Sequence, residues 1–189
     1  MGQQQQKPPG KVVNYPYICC HLVALTLDLL FHNIWTFGVR SAGPRLWPAV
    51  LIMFLWIACH PDDNCQPLFL FMILVIVLGC VAHFNAMLRN WRGEECHSRY
   101  TGTPYAMRLL PQLSEITIKR IEPWVALIAG YLIHFVNHPL GSFVMVAAIG
   151  MGVRVGVEYR GLLFRSMNIG DNLIDQKIVM DITRNPERR

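Results

Sequence analysis

One run of the chain decides most of what it can become. Residues 68–88 read LFLFMILVIVLGCVAHFNAML and contain no Asp, Glu, Lys or Arg. As a helix rising 1.5 Å per residue, the run reaches about 32 Å, enough to cross a hydrocarbon core about 30 Å thick. Such a segment points to a helical membrane protein. Composition agrees: 53% of the 189 residues are apolar and only 15% are charged, where a soluble domain carries about a quarter. The apolar content excludes a disordered chain, no sustained heptad supports a coiled coil, and six cysteines are too few for a disulfide scaffold.

The spacing predicts two helical hairpins. The first covers residues 46–88: an apolar run at 46–59, a turn rich in Pro, Asp and Asn at 60–67, and the long run at 68–88. The second covers residues 123–157, with His138-Pro139-Leu140-Gly141 as its turn. Residues 1–16 read as a polar leader without the pattern of a cleaved signal. Residues 17–39 are apolar except for His21, Asp28 and His32, which share one helical face. This helix either lies in the membrane interface or spans with its polar stripe packed against protein, because an Asp at the bilayer centre costs about 2.5–3.5 kcal/mol. The expected fold is an all-α integral membrane protein of four spans. A basic loop at 89–122 joins the hairpins, and a tail at 158–189 follows them.

Basic residues orient the predicted spans. The turns at 60–67 and 138–141 contain no Lys or Arg, whereas the loop and the tail each hold six, mostly Arg. Both termini and the loop are therefore expected in the cytoplasm, with the hairpin tips outside, in a membrane of the bacterial inner-membrane type. The net charge of +5 is accounted for by this topology, so nucleic acid is not an expected partner.

The hairpins also share a pattern. Trp47-Pro48, His60-Pro61 and Trp91-Arg92-Gly93 in the first match Pro123-Trp124, His138-Pro139 and Tyr159-Arg160-Gly161 in the second. Two origins are open. Interfacial aromatic and basic anchors recur in any hairpin of this length, while a parallel tandem duplication would set His60 and His138 at equal depth.

Chemistry concentrates in a few places. Cys59, His60, Asp62, Asp63 and Cys65, with His138, are weak candidates to ligate a metal, since their spacing matches no zinc motif. A Cys59–Cys65 disulfide and a plain polar turn are the competing readings. Asp28 and His32, four apart, form either a proton relay or an interhelical clamp. Ala148, Gly152 and Gly156 make a small-residue face for helix packing, and Arg154 between them is expected to snorkel towards the cytoplasm. Cys96, His97 and Ser98 are adjacent, a poor geometry for a nucleophile and its base.

Arg92, Arg99, Tyr100, Lys119 and Arg120 are read as contacts for a partner or lipid headgroups. An amphipathic segment at 111–121 presents Leu113, Thr117 and Ile121 on one face. In the tail, Asp171 caps a further helix striped by Ile174, Ile178 and Ile182, which should dock on another surface. Together these features predict a non-enzymatic, multi-pass subunit or scaffold of a larger membrane assembly. Its partners are the bilayer, neighbouring membrane subunits or further copies, and a cytoplasmic protein; no cofactor is expected. A small oligomeric transporter or channel using the intramembrane Asp and His is the alternative. A metal or redox membrane enzyme ranks third.

Overall fold

The computed structural model describes residues 15–94 and 101–184. All regular secondary structure among them is helical: α1 (Tyr15–Phe31), α2 (Val39–Ala58), α3 (Gln66–Trp91), α4 (Glu115–His134) and α5 (His138–Arg184), with short 3-10 turns at Ile34–Thr36 and Tyr105–Arg108. Two of these helices are long and apolar enough to cross a membrane: α3, and α5 over His138–Gly170. The apolar stretches of α1 and α2, Pro16–Phe31 and Gly43–Ala58, are shorter.

Local chemistry explains most of the boundaries. Pro67 lies in the first turn of α3, where a missing N–H costs nothing, and Gly93 leaves that helix at φ 73°. The Ser114 hydroxyl accepts from the Thr117 amide at 3.2 Å and caps α4. Asn137 performs the same service for α5, accepting from the Leu140 amide at 3.0 Å.

Three boundaries differ from the sequence reading. The stretch at 17–39 ends as a helix at Phe31, and the chain turns through Ile34–Thr36 on an Asn33 cap. The amphipathic 111–121 segment is not an element of its own, because α4 starts at Glu115 and continues through Pro123. Asp171 does not stand at a helix start, since α5 is continuous across it. The two His-Pro pairs also differ in role. His60-Pro61 follows the end of α2, whereas Pro139 sits in the first turn of α5, so the second connection is formed by residues 135–137.

Helix α1 lies at the heart of the molecule. Residues 23–29 are buried without interruption, against α5 and α2 chiefly. Helices α2 and α3 pack together, as do α4 and α5. Glycine permits the closest approaches. A Cβ on Gly141 would overlap the backbone of His134, one on Gly130 would press on the backbone and side chain of Met145, and one on Gly150 would press on the Cys20 carbonyl. The expected small-residue stripe is divided: Ala148 is buried, a Cβ on Gly152 would meet only Pro123 at 3.7 Å, and one on Gly156 would meet nothing. Gly152 and Gly156 instead line a groove of about 530 Å³ between α4 and α5, with Arg120 and Trp124 at its wall.

The outer faces are apolar. Trp47 and Phe54 on α2, Leu70 and Phe84 on α3, Trp124 and Ile128 on α4 are each more than half exposed. The charged residues Asp28, Glu122 and Arg154, with His32, are inside. Most of the remaining interior is apolar, so this polar group is set into a hydrophobic core.

Candidate functional site

Charge collects where α1, α4 and α5 meet. Asp28, on the last turn but one of α1, receives both terminal nitrogens of Arg154 from α5: Nη1 donates to Oδ2, and Nη2 donates to Oδ1 at 2.7 Å. The fork of a guanidinium matches the two oxygens of a carboxylate, which makes such a chelate the strongest common ion-pair geometry. His32, the residue that follows the end of α1, places Nδ1 3.7 Å from Asp28 Oδ1. Its other nitrogen, Nε2, hydrogen-bonds Glu122 Oε2 of α4 at 2.9 Å. Arg154 Nε lies 3.6 Å from Glu158 Oε1. Asp28 and His32 are 0% exposed, Arg154 1% and Glu122 4%.

Two further segments close the network off. His32 and Phe37 form isolated bridges with Pro104 and Thr101, and the Asn33 amide donates to Thr103 O at 2.8 Å. Gly102 turns this strap at φ 89°, where a side chain would strike the Phe37 ring. Asn85 Nδ2 and Arg89 Nη1 both donate to Trp35 O and hold the neighbouring turn. Part of the loop read from sequence as a docking surface is therefore a cover over His32.

The expected pair Asp28 and His32 is brought together; their outer partners were missed. Arg154 does not snorkel, because its guanidinium finds a carboxylate inside the bundle. The signal was present: Asp28 is the single acid in 17–39 and Arg154 the single formal charge in 123–157. Glu122 was assigned to the loop. It turns inward to His32, so α4 buries Ile118, Glu122, Ala126 and Gly130 rather than the face carrying Thr117 and Ile121. His21 leaves the expected trio and accepts from Arg45 Nη1.

At the other end of the bundle, Cys59 and Cys65 are free thiols, not a disulfide. The Cys65 thiol donates to His60 O at 3.2 Å, and Cys59 is exposed. His60 and His138 come together, ring centroids 5.9 Å apart, with Asp63 beside them, and Asp62 is exposed.

No family model matches the chain, and no curated protein or solved structure resembles it. The remaining contact residues are scattered. Arg92 is exposed at the end of α3, Lys119 pairs with Glu115 at 2.6 Å, and Arg120 lies over the Tyr159 ring at 4.0 Å. Arg99, Tyr100, Cys96, His97 and Ser98 lie outside the described residues, as do the side chains of Ile174, Ile178 and Ile182.

Proposed function

We propose that this chain is a non-enzymatic, multi-pass membrane subunit, a scaffold that anchors and docks other components of an assembly. The observation that carries the reading is the Asp28–Arg154 chelate. A proton carrier must take up and release protons, whereas a carboxylate held by both guanidinium nitrogens resists protonation, since the proton would cost the ion pair. The network thus serves as a clamp that locks α1 to α5, with His32 and Glu122 extending it to α4. Polar groups inside and apolar side chains outside suit a bundle surrounded by lipid.

In this reading α2, α3, α4 and α5 cross the membrane and α1 is packed among them. The excess of basic residues in the loop and tail supports a cytoplasmic side for both termini and the 89–122 loop. Labelling of a cysteine introduced at position 3, in a variant whose six native cysteines are replaced by serine, with a membrane-impermeant maleimide tests the arrangement. Reaction only after the cells are opened is expected, and reaction in intact cells would overturn it.

Docking falls to the far part of α5, where Leu162, Phe164, Met167, Ile169 and Leu173 are exposed. Exposed apolar side chains over that length of helix suit another protein of the assembly. Purification in mild detergent should give a stoichiometric complex or a defined homo-oligomer that Phe164→Asp with Met167→Asp dissociates. A monomer indifferent to those changes would sink the scaffold reading.

A transporter is the second reading, favoured by one detail: His32 Nδ1 and Glu122 Oε1 are buried without a hydrogen-bond partner among the described residues. Proton flux in reconstituted vesicles, lost in Glu122→Gln with the fold intact, would favour it over the scaffold.

A further inference from the structure

The connection between α2 and α3 and the start of α5 meet at one end of the bundle. Asn137 Nδ2 donates to Asn64 O at 2.7 Å and ties the two together. Beside this tie, His60, Asp63 and His138 each direct one ligand atom into a common space, all within 4.8 Å of one another. His138 Nδ1 and Asp63 Oδ2 are 3.6 Å apart. Donors bound at about 2.1 Å to a tetrahedral ion are spaced by about 3.4 Å, so one edge of the polyhedron already has its length. The other ligand atoms lie within 4.8 Å, and the exposed side chain of Asp63 has room to adjust towards them.

His60 is the prepared member of the set. Its Nδ1 is 2.9 Å from Trp56 O. A carbonyl only accepts, so Nδ1 carries the proton and Nε2 presents a lone pair. This arrangement, one ring nitrogen bound to a backbone carbonyl and the other free, is how ligating histidines are oriented in metal sites. The Trp56 indole stacks on the same ring at 5.7 Å and 25° and fixes its plane. His138 is restrained in turn by the His134 ring, 4.4 Å away. No Lys or Arg occurs between residues 46 and 88 or between 121 and 153, so no basic side chain from either connection competes for Asp63.

We propose that His60, Asp63 and His138 bind a borderline divalent transition metal, zinc, which bridges the α2–α3 connection to the start of α5. Two imidazoles and a carboxylate form a zinc ligand set that leaves a fourth position for water, and imidazoles select against the hard cations magnesium and calcium. This site is separate from the buried network and does not depend on the scaffold reading.

The test uses the full chain, purified in detergent without a polyhistidine tag, stripped with a chelator and titrated calorimetrically with zinc. One zinc per chain is expected, with no response to magnesium. Asp63→Asn and His138→Ala alter exposed side chains, and each should weaken zinc at least about tenfold while helical content and elution volume stay unchanged. X-ray absorption of the loaded protein should show only N and O donors at about 2.0–2.2 Å. Absence of stoichiometric zinc, full binding by the His60→Ala/His138→Ala variant, or a sulfur donor from Cys59 or Cys65 would each overturn the assignment.

Discussion

Arg154 and Asp28 form a two-pronged ion pair between α5 and α1 with neither side chain more than 1% exposed. Burying two charges costs several kcal/mol each, and the pair recovers this only while both partners are present. Asp28→Asn should therefore lower unfolding stability in detergent by about 3–5 kcal/mol, since it strands the guanidinium. Asp28→Leu with Arg154→Met should bring it back to the wild-type level or above. A double variant as unstable as the single one would contradict the clamp.

Glu122 offers a finer comparison. Glu122→Gln keeps an acceptor for His32 Nε2 and should cost little. Glu122→Ala leaves that nitrogen buried without a partner and should cost about 1–3 kcal/mol. Denaturant titrations followed by circular dichroism separate the two.

Two glycines on α5 should answer oppositely to the same change. Gly141→Ala drives a methyl into the His134 backbone and should destabilise by about 1–3 kcal/mol. Gly156→Ala meets open space and should stabilise the helix by about 0.5–1 kcal/mol. Thermal unfolding of both variants in one detergent is sufficient.

Alkylation under non-reducing conditions should modify both Cys59 and Cys65, with Cys59 faster because it is exposed and Cys65 is engaged with His60 O. A tryptic fragment in which both remain unmodified and linked would show that the thiols pair after all.

The helical class was legible because an uncharged run such as 68–88 has few other uses, and the Asp28–His32 contact was legible because a spacing of four fixes a shared face. What escaped was tertiary. Glu122 has the sequence context of a loop, and only the imidazole arriving from α1 draws it inward and rotates α4 about it. Pro123 and Gly161 resemble breakers, yet α4 and α5 continue through them. Local punctuation is weaker than packing once a helix is propagating. His138 could be matched to His60 by pattern, but its nearness to Asp63 depends on how α5 begins.

Helix α5 runs from His138 to Arg184 with no interruption, about 70 Å at 1.5 Å per residue. The histidine end, the Arg154 clamp and the exposed far end are consequently fixed to a single shaft. No loop separates Phe164 from Arg154, or Arg154 from His138. Whatever grips the free end of that axle also has a hand on both of the chain's charged centres.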